Sequence, residues 1–446
     1  MGNRAGSRYR AGVTSQPEPA PAGTALRSTD WQDRPEVVAT QRRSVKLLII
    51  AQVLGAFGVG AAPSVGVLLA EEVAGSEALA GVARTASTLG AALVGIPLAM
   101  IAARGGRRIA LATGWFLAAF GSVTLIGSAV ADSTLLLIAG MLLFGVGTAS
   151  MLQSRFAAAD LARPARRGRT LSLVVWCGTL GSVFGPNLGA PGEVVSGWLG
   201  LPPMAGAFVI ALVMLITAGL VLLIFLRPDP LLTAARFESD AGSAPVKRPA
   251  GEVIRALLGI RLVRFALVAV IAAHLSMVSL MTMTPVHLHH RAAGVTLIGI
   301  TISIHVLGMF AFSPLVGWAS DRVGPVRVIM IGQLIFVGSS VAVLVSGGGQ
   351  VGTMVSLFLL GLGWCCGTVP GSILMTEAVP ADIRPASQGL VDTAMNGFAA
   401  LAALVSGPIF VAIGFGGLSL VVIVVAVPLL GYALHTQRRV RLSPSV

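Results

Sequence analysis

The sequence predicts an all-α integral membrane protein with twelve transmembrane helices in two pseudo-symmetric six-helix halves and both termini cytoplasmic. Composition points there first: of 446 residues 55% are hydrophobic and 11% charged, with mean hydropathy +0.87, whereas a soluble domain carries roughly a quarter charged residues. Apolar runs of about twenty residues, each long enough to cross a hydrocarbon core, then recur along the whole chain. Finally, the polar stretch 228–260 divides those runs six and six. Backbone groups in lipid must pair internally, so the runs are read as helices.

Residues 1–44 are rich in Arg, Pro, Ser, Ala and Gly without apolar periodicity and read as a disordered basic cytoplasmic tail. The first apolar run is too long for a signal-peptide core and no small-residue cleavage site closes it. The amino-terminal half, 45–227, holds runs at 47–70, 78–101, 109–131, 134–154, 170–191 and 203–226. After the linker 228–260, the carboxy-terminal half, 261–436, holds runs at 264–286, 296–318, 325–346, 351–375, 388–411 and 415–435, and 437–446 form a second cytoplasmic tail.

The net charge of +13 follows the membrane rather than nucleic acid. Arg42, Arg43 and Lys46 precede the first run; Arg104, Arg107 and Arg108 follow the second; Arg163, Arg166, Arg167 and Arg169 follow the fourth; Arg438, Arg439 and Arg441 close the chain. The alternate loops carry Glu71, Glu72, Glu77, Asp132 and Glu193. With positive charge retained inside, both termini are cytoplasmic. Arginine far outnumbers lysine, which is confined to Lys46 and Lys247, as in a GC-rich bacterial genome, and the expected location is the bacterial inner membrane. The three cysteines, Cys177, Cys365 and Cys366, fall in apolar runs and offer no disulfide framework.

An internal repeat supports the two halves. Ala162-Arg-Pro-Ala165 reappears as Ile383-Arg-Pro-Ala386, Gly185-Pro186 as Gly407-Pro408, and Gly106 of the RGGRR stretch answers Gly324 of DRVGPVR. Paired halves joined by a cytoplasmic linker are a transporter design, with the substrate path between them.

Two motifs resemble those of the major facilitator superfamily. Gly317, Asp321, Arg322, Gly324 and Arg327 fit the loop pattern G-x-x-x-D-R-x-G-x-x-R. The glycines permit close helix approach, and the resemblance implies a cytoplasmic latch made by the Asp/Arg charges; a solvated turn with topology-setting arginines is the alternative. The first-half copy has Ala99 and Ala103 at the Gly and Asp positions, which leaves a latch there in doubt. Gly181, Gly185, Pro186 and Gly189 fit the pattern G-x-x-x-G-P-x-x-G-[GA]; physically this is a packing and hinge element, and it does not fix the direction of transport.

A charge within the bilayer is costly and is kept where a transporter uses it. The first run has no acidic residue, and Met141 stands where drug exporters of the family carry an arginine. Possible coupling groups are Arg84, His274 and Asp392, the last beside Asn396; Arg155 and Asp160 read as a structural pair at the interface.

Four of the six histidines fall in 274–290. His274, Met277 and Met281 share one helical face, and His305 and Met309 form an i, i+4 pair on the next helix at similar depth. Thioether sulfur suits Cu(I), and imidazole is compatible with it; core packing is the competing reading. His287, His289 and His290 read as a solvated cluster at the outer mouth. The spacing of Met277, Met281, His305 and Met309 resembles the M-x-x-x-M and H-x-x-x-M pair of the CcoA-like copper importers, in which these side chains hold the metal. The resemblance implies copper uptake as the sharpest substrate expectation, copper being cargo and no cofactor being required. Proton-coupled efflux of drugs or lipophilic metabolites is the alternative. A non-transporting sensor would need an output domain for which neither tail nor linker is large enough. No Walker loop, HExxH or GxSxG suggests an enzyme. The expected partners are the lipid bilayer and a small solute or metal ion, with no nucleic acid, and the chain is expected to be a monomer.

Overall fold

The structure is a computed structural model that describes residue 2 and residues 30–75, 77–163, 167–240, 250–379 and 384–442. Most of the expected amino-terminal tail, the middle of the linker and the last four residues lie outside the described residues. Everything regular among those described is helical, with no strand. In order come α1 (Pro35–Val59), a π turn (Ala62–Gly66), α2 (Val67–Ala74), α3 (Glu77–Ala131), α4 (Thr134–Ala159) and α5 (Arg167–Phe184). A 3-10 turn at Gly185–Leu188 leads into α6 (Gly189–Leu199), α7 (Ala205–Phe225), α8 (Pro230–Asp240) and α9 (Ala250–Gly259). The second half is α10 (Arg261–His290), α11 (Val295–Phe310), α12 (Ser313–Val323), α13 (Pro325–Val345), α14 (Gln350–Ala378) and α15 (Arg384–Leu442).

Two helices are too long to be single crossings, and each breaks at a glycine. Gly106 in α3 has φ 84° and Gly414 in α15 has φ 70°, a backbone region that side chains disfavour. The apolar core has two main clusters, and the second also takes in Val67 and Leu68 of α2. Leu48, Trp115, Phe144, Phe208 and Leu215 anchor the first; Met283, Ile302, Phe336, Leu360 and Leu418 the second. Outward positions are apolar too: Leu135, Trp198 and Val345 are each at least 78% exposed, as expected where the solvent is lipid. Within the first half, α3 and α4 meet backbone to backbone. A Cβ on Gly90 would lie 1.8 Å from the Leu142 carbonyl, and one on Gly145 1.8 Å from that of Ser87.

Order begins earlier than composition suggests. Pro35 at the first helical turn starts α1 well before residue 45, and Trp31 stacks on Phe237 of α8 at 5.3 Å. Trp31, Val37, Leu161 and Ala234 form a small core there, and Asp33 pairs with Arg163. The linker is likewise not a plain polar connector, since both its ends are helical: α8 packs on the first half and α9 on α10 and α15 of the second.

The seam between halves is uneven. At the end away from the arginine clusters, α3 lies on α15, with a Cβ on Gly81 2.7 Å from the Ala403 carbonyl and Thr85 Oγ1 donating to the Ala400 carbonyl at 3.2 Å. Asn187 donates to Ser303 at 2.7 Å across the same seam, and Glu71 of α2 meets His290 of α10 at 2.7 Å. At the arginine-rich end an ion pair between Arg155 of α4 and Asp392 of α15 joins the halves.

Candidate functional site

The expected metal face divides between neighbours. Met277 and Met281 are 3% and 6% exposed in α10, and Met309 packs against the same apolar core. His305 is fully buried and turned onto α14, where its Nδ1 donates to the Leu357 carbonyl at 2.8 Å. Gly361 of α14 makes this possible: a Cβ there would lie 2.2 Å from the His305 carbonyl and 3.0 Å from the Met309 nitrogen. With Nδ1 donating, Nε2 carries the lone pair, and it has no hydrogen-bond partner. No three His, Cys, Asp or Glu side chains gather in metal-ligating geometry among the described residues.

Nearer the middle of α10, His274 is bound differently. Its Nδ1 accepts a hydrogen bond from the Trp364 indole at 2.9 Å, which leaves the neutral ring's Nε2 as an N–H donor. Trp364 also meets Phe310 edge to face at 5.6 Å, so one residue of α14 links α10 to the end of α11. Arg84 stands on α3 in the other half. Its Nε is buried without a hydrogen-bond partner, and no carboxylate pairs with it among the described residues. Arg84, His274, Phe310 and Trp364 are all only partly buried.

Asp392 does not stand alone. It pairs with Arg155 across the seam, and Asn396 Nδ2 donates to its backbone carbonyl at 2.8 Å. Pairing of Arg155 with Asp160 is thereby corrected. Asp160 instead accepts from Arg107 Nε at 2.9 Å and Arg107 Nη2 at 3.3 Å, a fork that closes the first-half loop. Five residues separate Arg155 from Asp160 along α4 and its end, which turns them to different sides.

The two repeat-related loops share a backbone and differ in charge. Gly106 and Gly324 both adopt positive φ, 84° and 91°. In the first loop, where Ala103 replaces the motif's acid, Asp229 from the start of α8 accepts from the Arg108 amide at 2.8 Å and from those of Leu231 and Leu232 at 3.0 and 3.2 Å. In the second, Asp321, Arg322 and Arg327 are exposed and Gly317 is half-buried. Arg322 lies over the Trp318 ring at 4.9 Å, and Asp321 has no ion-pair partner among the described residues.

The helix 5 motif is a contact with α1. A Cβ on Gly181 would lie 2.3 Å from the Val53 carbonyl, and one on Gly185 2.6 Å from that of Phe57. Pro186 is the second residue of the 3-10 turn, its carbonyl accepts from Ser64 Oγ at 2.9 Å, and Gly189 faces Val295 of the other half. The expected outer histidine cluster is not uniformly solvated. His287 is 8% exposed, stacked on Phe415 at 4.1 Å, and donates to the Gly348 carbonyl at 2.8 Å. His289 and His290 are exposed.

Sequence reasoning did not find Trp364 or Phe310. No motif marks them, and only helical spacing around the Gly361-x-Gly363 pair signals that α14 comes close to its neighbours.

The major facilitator superfamily profile matches the chain twice, over residues 48–295 and 266–444. The uncharacterized MFS-type transporter YddS of Bacillus subtilis is 33% identical over 79% of this chain and 81% of its own length. YdeG, another uncharacterized MFS-type transporter of that organism, is 30% identical over 85% of this chain and 88% of its own. The riboflavin transporter RfnT of Brucella anthropi is 28% identical over 82% and 88%. Nine stretches among the described residues are long and apolar enough to cross a membrane, as a multi-pass membrane protein requires, and the family match points to a transporter and not an enzyme. The chain belongs to the major facilitator superfamily.

Proposed function

We propose that the chain is a secondary transporter that moves a small solute across the bacterial inner membrane by alternating access, with twelve crossings and both termini cytoplasmic. Division of α3 at Gly106 and α15 at Gly414, and treatment of α1–α2, α5–α6 and α11–α12 as single interrupted crossings, give that number. The uneven seam carries the reading: tight packing at the acidic end and the Arg155–Asp392 pair at the arginine-rich end are what a rocking interface needs if one side is closed while the other is held by a breakable contact. The latch residues Gly317, Asp321, Arg322, Gly324 and Arg327 and the helix 5 residues Gly181, Gly185, Pro186 and Gly189 serve this motion.

The test uses Ala403→Cys in a cysteine-free background, because Ala403 is fully buried at the closed end. A membrane-impermeant maleimide added outside labels this cysteine whenever that end opens. Oxidation of a Glu71→Cys/His290→Cys pair is expected to stop the labelling. Equal rates with and without the disulfide would rule out opening at that end.

Copper uptake is a second reading. It is favoured by the unpartnered Nε2 of His305 beside a core that contains Met277, Met281 and Met309. Cells expressing the chain would accumulate copper, and Met277→Ala or His305→Ala would reduce accumulation to the level of empty cells at matched expression. Unchanged accumulation in both variants removes it. Riboflavin, the solute in one relative's name, belongs in the same uptake panel.

A further inference from the structure

We propose that α1 carries a binding site for an anionic phospholipid at the arginine-rich end of the bundle, with the lipid phosphate on Arg42, Arg43 and Lys46 and the start of an acyl chain along Leu47 and Ile50. The inference goes beyond solute transport and needs only that the chain lies in a bilayer.

An open groove of about 510 Å³ is lined by Ala39, Arg42, Arg43, Lys46, Leu47 and Ile50. Ala39, Arg42, Arg43, Lys46 and Ile50 recur at helical spacing and all five are exposed, so they form one stripe on α1. The opposite side of the helix is taken up by protein: Ser44, Leu48 and Ala51 are buried, and Gln41 Nε2 donates to the Ala158 carbonyl of α4 at 2.8 Å. The stripe therefore faces away from the bundle. It changes character along its length, with cations as far as Lys46 and then an apolar track that ends at Ile50, 47% exposed. Ile50 lies about 10 Å along the axis from Arg43, enough to pass from the headgroup layer into hydrocarbon.

What these cations lack is an anion. Arg34 lies over Phe237, Arg107 pairs with Asp160, Arg155 with Asp392 and Arg163 with Asp33, whereas Arg42, Arg43 and Lys46 have no side-chain partner among the described residues. Their own helix cannot supply one, because the sequence has no acid between Glu36 and Glu71. Lys46 stands four residues after Arg42 and three after Arg43, spacings at which like charges repel across a helical turn. A phosphodiester placed between them removes that repulsion: an arginine fork takes two phosphate oxygens, and lysine adds a point charge. Orienting a chain in the membrane needs cations on one side, but it does not need three of them on a single stripe that continues into an exposed apolar track. A phospholipid matches both parts of the groove, while a free phosphate matches one.

The test is native mass spectrometry of the full chain in detergent, which counts bound lipid directly. The probes are dioleoyl phosphatidylglycerol and dioleoyl phosphatidylcholine, which share their acyl chains and differ in net charge. Phosphatidylglycerol is expected to bind at least tenfold more tightly. The triple variant Arg42→Gln/Arg43→Gln/Lys46→Gln should lose that advantage and leave phosphatidylcholine unchanged. A charge-matched control, Arg255→Gln/Arg261→Gln/Arg438→Gln, removes three exposed arginines elsewhere and should change the affinity for phosphatidylglycerol less than twofold. Ala39→Trp, at an exposed position, fills the groove while keeping all three charges, and should weaken phosphatidylglycerol at least fivefold; it carries the test alone if the triple variant does not fold. Equal affinity for the two lipids, equal losses in the two triple variants, an unaffected Ala39→Trp, or displacement of the lipid by excess inorganic phosphate each overturns the proposal.

Discussion

The loops around Gly106 and Gly324 are two copies of one design that settle their charges in different ways. Both turn through a positive-φ glycine after a helix bearing arginines. The first is tied down by acids from elsewhere, Asp160 from the end of α4 and Asp229 from the start of α8. The second keeps the motif's own acid, and that acid stands in solvent without an ion-pair partner among the described residues. The loop that has lost the motif is therefore the fixed one, and the loop that keeps it is free to form new contacts when the halves move.

The sharpest way to break this comparison is Gly106→Ala against Gly324→Ala. At 106 the added Cβ would lie 2.3 Å from the Asp229 carboxylate, on top of the unfavourable φ, whereas at 324 it meets open space. The first should cost about 3 kcal/mol and the second about 1 kcal/mol, read by thermal unfolding in detergent. Equal losses would mean that Asp229 does not fill the first loop.

Asp160→Ala should come next, at about 2 kcal/mol, because it strands Arg107 in a site where both side chains are under 15% exposed. Asp321→Ala should leave the melting temperature unmoved. Its effect is expected instead on motion: if Asp321 pairs only in the opposite conformation, Asp321→Asn changes the labelling rate of Ala403→Cys several-fold, and an unchanged rate removes the latch.

Asp229→Ala loses the cap of α8 and the tie to Arg108, about 1 kcal/mol. Smallest is Arg322→Ala, which gives up an exposed cation–π contact worth about 0.5 kcal/mol. A larger loss there would show that the second loop is also fixed.

The repeat, the helices and their breaks were legible because they are local. Gly106 and Gly324 could be matched by register alone, and each proved to need the same unusual φ. Pro35 is a helix-start signal that the basic composition of the tail masked, and the apolar Trp31 and Val37 that hold it down find their partners more than a hundred residues away. Charge pairing was not legible for the same reason. Arg155 has Asp160 close by in sequence yet pairs with Asp392 from the other half, while Asp160 goes to Arg107. The histidines show the same limit: clustering in sequence suggested shared surroundings, but His287 lies stacked beneath Phe415 while His289 stands exposed. Arg84 was legible as a charge in an apolar run, since that needs only composition; the contacts of Trp364 with His274 and Phe310 needed the fold.

The divided linker has a mechanical consequence. Because α8 packs on the first half and α9 on α10 and α15 of the second, each of these helices is carried along by the half that holds it. A change to Gly81, Arg155 or Asp392, which meet partners across the seam, should therefore alter the stroke more than a change on the outer face of α8 or α9, so the amplitude of the motion is set by the surfaces that slide.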